Sequence, residues 1–318
     1  MAKTEKTTKL LARFGRLNSQ RANWENHWQE VADYMMPRKA NITKKRSRGD
    51  KRNELIFDSS PLQALELLAA SLHGMMTNPS TPWFTLKFKD AQMDQNDEAK
   101  LWLESVTADM YTAFNRSNFQ QEIFELYHDL ITFGTAAMYI EEDDEDLLKF
   151  STKHIAEIFI AEDDKGRIDT VYRKFTLSAR ALVQKFGNKV SQNIKVMSEK
   201  DPYQDVDILH CVYPRADFNP KLKDQENMPF ESVYLEMGSG DELSVSGFKE
   251  FPYVVPRYLK ASHEIYGRSP AMTALPDVKM LNEMSKTTIK AAQKQVDPPL
   301  LVPDDGFLLP VRTVPGGL

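Results

Sequence analysis

Apolar residues recur at intervals of three, four or seven at the start of the chain, which is the period of an amphipathic helix. The pattern covers residues 5–36 and stops before Pro37, because proline has no N–H for an intrahelical hydrogen bond. Its apolar positions are Leu10, Phe14, Leu17, Trp24, Trp28, Val31 and Tyr34. We therefore predict that the chain begins with a long docking helix.

Three further helices are predicted in the first half of the chain. The first begins with SPLQ at residues 60–63, where the serine and the glutamine can form a capping box, and Gly74 offers a left-handed exit. The other two are amphipathic and cover residues 97–115 and 119–133. Gly134 follows the last of them and can close it.

The period changes to two residues after Gly134, which indicates β-strands. An earlier strand is predicted after a proline turn at residues 78–88, and DDKG at 163–166 reads as a hairpin turn. SARALVQKFG reads as a short helix, and GSGDEL as a turn between strands. The other predicted strands are TAAMYIEED, LLKFST, IAEIFIAED, RIDTVYRKFTL, DVDILHCVYPR, FESVYLEMG and YVVPRYLKA. Helices followed by antiparallel strands, without β-α-β alternation, predict an α+β fold.

A long helix is predicted near the end of the sequence. Ser269 and Pro270 supply a cap and a first turn of a short helix. Pro276 would remove a hydrogen bond from a helix interior, so a second, longer helix is predicted to begin there and to end at Val296. Asp297 precedes a proline and is disfavoured in a helix. At 1.5 Å per residue the longer helix spans roughly 31 Å.

The apolar stripe of this long helix is thin and made of small residues. It consists of Val278, Leu281, Ser285, Ile289, Ala292 and Val296. Such a stripe buries too little apolar surface to stabilise the helix by itself, so we predict that the helix packs against neighbouring copies of the chain. A separate face carries Lys279, Lys286, Lys290 and Lys294. This lysine row is either a solvated face, a face toward a polyanion such as DNA, or a face toward acidic residues of the next subunit.

A basic segment follows the first helix at residues 37–52. It holds eight Lys or Arg residues against one Asp, with almost no apolar anchor, and this composition predicts a mobile, solvated loop. As a group these residues are candidates for contacts to DNA or to another protein. They are Arg38, Lys39, Lys44, Lys45, Arg46, Arg48, Lys51 and Arg52.

Composition narrows the class of protein. The chain has 318 residues and a net charge of −5, which argues against a dedicated nucleic-acid coat because such domains are usually basic. The single Cys211 excludes a disulfide framework and a cysteine-based zinc site, and fits a reducing compartment. No run of 18 apolar residues occurs, so no membrane span is predicted.

Catalytic motifs are missing from the sequence. It has no phosphate-binding G-x-x-x-x-G-K-[ST] loop, and its six histidines make no pair at zinc-ligand spacing. The strongest carboxylate cluster is EEDDED at residues 141–146. It reads as a solvated or partner-facing acidic edge, and the alternative is a Mg²⁺ site of a nucleic-acid enzyme that uses the carboxylates of residues 141–146. We predict no enzyme activity, no cofactor and no metal, with the metal-dependent enzyme as the alternative.

Four stretches together resemble the head-to-tail connecting, or portal, proteins of short-tailed bacteriophages related to the T7 group. They are HGMMTNPSTPWFTLKF, DLITFGTAAMYIEED, DDKGRIDTVYRKFTLSARALVQKFG and YGRSPAMTALPDVKMLNEMSKTTIKAAQKQVDPPLLVPDDG. Their order and content cover nearly the whole chain. None of the four is a chemical motif, so the resemblance concerns the family and not a catalytic site.

The resemblance implies a ring of usually twelve copies at one vertex of a capsid, with a central channel through which double-stranded DNA is packaged and ejected. It also implies docking of the large terminase, then of tail adaptors, next to capsid and scaffolding proteins. The expected location is the virion, and the host cytoplasm during assembly.

The family architecture assigns three regions to this sequence. Residues 1–265 would form the peripheral wing, 266–297 the stem-helix region, and 298–318 the start of the clip that points out of the capsid. Family members are longer, so we expect the chain to lack the second stem helix, the channel loop, the returning wing segments and the crown.

Overall fold

The computed structural model of the chain describes residues 5–296, except for 46, 48, 90–95, 220 and 223. Its helices are α1 (Glu5–Met35), α2 (Ser60–Met76), α3 (Asp97–Arg116), α4 (Phe119–Phe133), α5 (Ala179–Phe186), α6 (Gln192–Lys200) and α7 (Pro270–Val296). Its strands are β1 (Ala137–Asp143), β2 (Leu147–Lys153), β3 (Ile158–Glu162), β4 (Ile168–Ser178), β5 (Asp205–Pro214), β6 (Phe230–Glu236), β7 (Glu242–Phe248) and β8 (Tyr253–Val254). None of the helices in the described part of the chain is long and apolar enough to cross a membrane.

Helix α1 confirms the prediction of a long docking helix. Its buried side chains include Leu10, Leu17, Trp28 and Val31. Arg21 is also buried, and its guanidinium donates hydrogen bonds to the carbonyl oxygens of Ile155, Ala156 and Ile158, just before and at the start of β3, and to a carboxylate one turn along α1. A buried charge is tolerated when its donors are satisfied in this way. Arg21 therefore ties α1 to the sheet.

The strands form two antiparallel sheets, which confirms the predicted α+β class. One has the order β2-β1-β8 and the other the order β3-β4-β5-β6-β7. The predicted hairpin at 163–166 joins β3 to β4: Asp163 accepts hydrogen bonds from the backbone N–H groups of Lys165 and Arg167. Gly166 adopts a φ of 73°, a conformation that glycine takes without steric cost.

Side chains from α4 cover the edge of the smaller sheet. Asn118 donates to the carbonyl of Phe150 and accepts from its N–H, at 2.8 and 2.9 Å. One turn further along, the Glu122 carboxylate accepts from the backbone N–H of Thr152. These bonds satisfy backbone groups that an edge strand leaves open, so β2 cannot pair with another chain at these positions.

The main hydrophobic core lies where α1, α2 and α4 meet both sheets and the start of α7. Trp28 is fully buried there, and its indole N–H donates to the carbonyl of Phe133 at 3.0 Å. Tyr266 packs edge-on against Trp28 with ring centroids 5.1 Å apart. The residues that lead into α7 thus belong to the same core as the N-terminal helix.

The strand predicted at residues 78–88 is not a strand. The backbone N–H groups of Trp83 and Phe84 donate to the hydroxyl of Tyr111 on α3, and that hydroxyl donates to the carbonyl of Phe84. Trp83 stacks on Phe119 of α4, with centroids 5.9 Å apart. The aromatic residues that suggested a strand therefore pack on helices, and a side chain replaces the partner strand.

Two details of α2 also differ from the prediction. The backbone N–H of Ser60 is capped by the Asp58 carboxylate at 2.8 Å, and not by a capping box of Ser60 and Gln63. The helix passes Gly74 and continues to Met76, because tertiary packing outweighs the helix-breaking tendency of one glycine.

The last strand of each sheet along the chain was incompletely predicted. Strand β7 follows the expected turn after β6, but its serines and glycine carry only a weak strand signal. In YVVPRYLKA, only Tyr253 and Val254 form a strand, which pairs with β1 of the smaller sheet. Arg257 and Leu259 make isolated bridges, because Pro256 cannot donate to a continuous strand ladder.

Candidate functional site

Helix α7 is a single helix of 27 residues, so the prediction that a second helix begins at Pro276 is wrong. It begins at Pro270 and spans about 40 Å. Pro276 lies in its second turn and leaves the carbonyl of Met272 without an intrahelical donor. The helix tolerates this loss because tertiary contacts hold the residues on both sides of the proline.

The start of α7 is anchored to the end of α4. Gly134 closes α4 with a φ of 76°, as predicted, and its carbonyl accepts from the N–H of Tyr258. The N–H of Gly267 donates to the hydroxyl of Thr135 at 2.8 Å. Ser269 is buried; its hydroxyl donates to the carbonyl of Thr132 and accepts from the N–H of Met272. Ser269 thus caps α7 and holds it to α4.

The first half of α7 belongs to the main core. Ala271, Met272 and Leu275 are buried in it, and Val278 packs against it from the edge. Lys279 then forms an ion pair with Glu30 of α1 at 2.5 Å. This half is therefore held in place by contacts within its own chain.

Asn282 clamps the segment before α2 onto the middle of α7. Its side-chain oxygen accepts from the backbone N–H of Phe57 at 2.7 Å, and its side-chain nitrogen donates to the carbonyl of Leu55 at 2.8 Å. A weaker bond to the N–H of Asp58 measures 3.4 Å. Asn282 is buried although it lies on a polar helix, because it acts as a backbone partner for an irregular segment.

The second half of α7 lacks cover in the described part of the chain. Every residue from Thr287 to Val296 is exposed. Of the predicted apolar stripe, Val278 and Ser285 are partly buried, and the exposed members are Leu281, Ile289, Ala292 and Val296. The packing of this half against neighbouring copies stays a prediction.

The four lysines of the predicted row have different surroundings. Lys279 is paired with Glu30, and Lys286 pairs with Glu283 at 2.8 Å and lies over the ring of Phe57. Lys290 and Lys294 are exposed, and neither forms an ion pair with a described residue. Only the last two are therefore free to meet a partner without losing an internal contact.

The basic segment at 37–52 was predicted to be a solvated loop, and for its first part this is wrong. Residues 37–39 form a 3-10 turn. Arg38 makes two hydrogen bonds of 2.9 Å to Glu125 of α4, and Lys39 contacts both Glu125 and Asp129. Lys44 pairs with Asp33 of α1 at 2.6 Å. These cations are held by carboxylates of the same chain. The sequence pattern could not identify the partners of Arg38 and Lys39, because Glu125 lies 87 residues from Arg38 and Asp129 lies 90 residues from Lys39.

The carboxylates under this segment have shifted pKa values. Burial opposes ionisation of Glu125, but hydrogen bonds and charge from Arg38 and Lys39 outweigh it and lower the pKa to about 2. Burial raises the pKa of Asp129 to about 6, although Lys39 acts in the opposite direction. Asp129 is fully buried and one of its oxygens has no hydrogen-bond partner. Lys39 is therefore the group that makes its charge tolerable.

The other basic candidates lie further along the segment. Lys45 and Lys51 are exposed, and the guanidinium of Arg52 donates to the carbonyl of Arg38. Arg46 and Arg48 lie outside the described residues. A role of this segment in binding DNA or protein stays a prediction.

The acidic cluster at 141–146 lies at the tip of the hairpin between β1 and β2. The Asp143 carboxylate accepts from the backbone N–H groups of Glu145 and Asp146, so it serves the turn. In the part of the chain that the structure describes, no three His, Cys, Asp or Glu residues are grouped so that they could hold a metal ion. Nothing in this geometry favours the alternative of a metal-dependent enzyme.

Sequence reasoning missed two residues that position α7, namely Gly267 and Asn282. In the sequence, the glycines at 134 and 267 indicated only turns. A single asparagine within a helix does not indicate a tertiary contact. Both act through backbone groups of distant segments, so only the tertiary structure reveals them.

A helix that is buried in its own subunit over one half and bare over the other is typical of a structural subunit that completes its packing in an assembly. Comparison with known families agrees with this class. The family model for the bacteriophage head to tail connecting protein matches residues 7–318, and the chain belongs to that family. The family is defined by a structural role in the virion, the connection of the head to the tail.

Two curated proteins are similar over the whole chain. A probable portal protein of Bordetella phage BPP-1 is 34% identical over 323 aligned residues, which cover 100% of this chain and 58% of the relative. A portal protein of Salmonella phage epsilon15 is 34% identical over 322 aligned residues, which cover 99% of this chain and 58% of the relative. The chain therefore spans somewhat more than half the length of these relatives.

Proposed function

We propose that the chain is a subunit of a phage portal, the ring at one capsid vertex through which double-stranded DNA is packaged and ejected. The observation that carries this proposal is α7, whose first half is locked into the subunit core while Thr287 to Val296 are exposed. A helix end of this kind gains its missing burial from neighbouring copies. Membership of the connector family and similarity to two portal proteins support the same conclusion.

The regions of the subunit follow from this function. Residues 1–265 form the wing, 266–297 the stem-helix region and 298–318 the start of the clip, although the last region lies outside the described residues. Lys290 and Lys294 are the cations of the stem that are free to face DNA. An overall charge of −5 limits tight binding to DNA that must slide.

The proposed partners are those of a structural ring. Twelve copies form the ring, the large terminase docks during packaging, and tail adaptors replace it afterwards. Capsid and scaffolding proteins surround the ring while it assembles in the host cytoplasm. The ring has no enzymatic activity and takes no cofactor.

The size of the particles that the protein forms in solution tests this function. We expect native mass spectrometry and negative-stain images of the full-length protein to show closed rings of about a dozen copies, the usual number in the family that the sequence resembles. A protein that stays monomeric at high concentration would contradict the proposal. Mg²⁺-dependent DNA cleavage that is lost on D143A/D144A would contradict the non-enzymatic role and support the alternative.

A further inference from the structure

Helix α2 has an exposed face without a single charge. It consists of Ala64, Leu67, Leu68, Ser71 and Met75, which recur at helical spacing on the side away from the core. Leu67 is 71% exposed and Met75 is 75% exposed. Solvated helix faces normally carry charged residues, and an uncharged face with large apolar side chains marks an interaction site. The only acidic residue of α2, Glu66, lies on the opposite side beside His128.

Helix α7 has a second face of the same kind, which begins in the middle of the helix and continues along its bare end. It is formed by Met280, Met284, Thr288, Ala291 and Gln295, and the two methionines are 60% and 59% exposed. At 3.6 residues per turn, the lysine row lies about 120° around the helix axis from this face. Methionine is common on surfaces that adapt to a partner, because its side chain is flexible and polarisable.

We infer that the uncharged face of α2 in one subunit packs against the uncharged face of α7 in the next subunit. Both faces mix large apolar residues with small ones at intervals of three and four, which lets ridges of one helix enter grooves of the other. Residues 64–75 span about 16 Å and residues 280–295 about 22 Å, so the shorter face fits within the longer one.

The charges on the two helices favour α2 of the next subunit, and not a second copy of α7, as the partner of the uncharged α7 face. Residues 53–76 carry Glu54, Asp58 and Glu66 and no Lys or Arg. Residues 280–296 carry three lysines and one glutamate. Pairing two α7 helices would bring two lysine rows together, whereas α2 brings no lysine or arginine to the contact, so this repulsion is absent.

The two faces lie on different helices, so the contact is heterologous and repeats from copy to copy. A heterologous contact closes into a ring when the rotation from one copy to the next is 360° divided by a whole number. This inference rests on the proposed ring and names the two surfaces that join its members.

Thiol crosslinking of the full-length protein tests the contact. The 318 residues contain one thiol, Cys211, which is buried and therefore adds no background crosslink. We expect a bismaleimide to convert M75C/M284C into a ladder of multimers on a denaturing gel. The matched control is M75C/Q293C, because Gln293 lies across α7 from Met284, about 180° around the axis. The control should give no ladder.

The outcomes separate the inference from the proposed function. Rings seen by microscopy together with an unlinked M75C/M284C variant would overturn the inference and leave the portal function standing. A crosslink within a single chain would show that residues 75 and 284 of the same subunit lie close together, and would overturn it too. A protein without rings would contradict the proposed function itself.

Two charge variants of Leu67 test the contact without crosslinking. L67K places a cation in the middle of the α2 face, toward the lysine-bearing α7, and L67E places an anion there. Because Leu67 is largely exposed, both variants should keep the Tm of the isolated subunit within about 2 °C. We expect L67K to reduce the fraction of protein in rings more than L67E does, and equal ring yields for the two variants and the unsubstituted protein would overturn the contact.

Discussion

Gly134 and Gly267 face each other so closely that neither has room for a Cβ atom. A Cβ on Gly267 would lie 2.4 Å from the carbonyl oxygen of Gly134, and one on Gly134 would lie 2.3 Å from the carbonyl oxygen of Gly267. The end of α4 and the start of α7 are therefore joined backbone to backbone, and the direction of the long helix depends on this contact.

Replacing Gly267 with alanine tests that contact. We expect G267A to lower the free energy of unfolding by about 2–3 kcal/mol, because the added methyl group forces two backbone segments apart. Urea unfolding measures the change. G74A is the matched control: Gly74 lies in a helix with nothing within 4 Å of an added Cβ, so its replacement should stabilise the protein by about 1 kcal/mol. A G267A variant as stable as G74A would contradict the close contact.

Removing the Asn282 side chain tests the clamp on the segment before α2. N282A leaves the N–H of Phe57 and the carbonyl of Leu55 without their partner, and we expect a loss of about 2–3 kcal/mol. Hydrogen exchange at Phe57 should become faster, and protease cleavage near residues 53–58 should increase. Q293A, at an exposed position of the same helix, should change neither. Unchanged protection of Phe57 in N282A would show that the clamp is not needed.

Acid should destabilise the subunit through His154. Its Nδ1 accepts from the N–H of Ala156 and its Nε2 faces the carbonyl of Lys39, so the neutral ring fits the site. Burial lowers the pKa of His154 from 6.5 to about 4, and the nearby charge of Lys39 acts in the same direction. The stabilisation is therefore complete above pH 6.5 and is lost as the pH falls toward 4, by about 3 kcal/mol.

The variant H154N isolates this effect. Asparagine can accept from Ala156 but does not titrate in this range, so the pH dependence of unfolding between pH 7 and 4 should be weaker than in the unsubstituted protein. Asp129 has a raised pKa and acts in the opposite sense over the same range, but it is present in both proteins and cancels in the difference. Parallel pH curves would contradict the role of His154.

The free lysines of α7 should affect DNA more than assembly. We expect K290Q/K294Q to form rings in normal yield, because neither lysine forms an ion pair with a described residue and both lie away from the uncharged face. Packaging efficiency or DNA retention should change, because two cations are lost from the proposed channel. The control K189Q/K200Q removes two exposed lysines elsewhere and should alter neither. Loss of rings in K290Q/K294Q would indicate that the lysines pair with carboxylates of a neighbour.

Most helices and the main hairpin could be predicted because their signals are local. The apolar period of α1, the left-handed glycine after α4 and the turn at 163–166 each depend on residues a few positions apart. The candidate surfaces were predicted less completely. The row of lysines on α7 was visible in the sequence, but the pairing of Lys279 with Glu30, nearly the whole chain away, was not.

The sequence by itself determined the α+β class, the positions of most elements and the resemblance to a connector family, because these depend on local period and on the order of segments. Only the tertiary structure decided that α7 continues through Pro276 and that Arg38 and Lys39 are held by Glu125 and Asp129. It also decided that the aromatic residues of 78–88 pack against helices instead of forming a strand. The physical reason is that each of these depends on a contact between distant segments, whose energy exceeds the local preference of the residues involved.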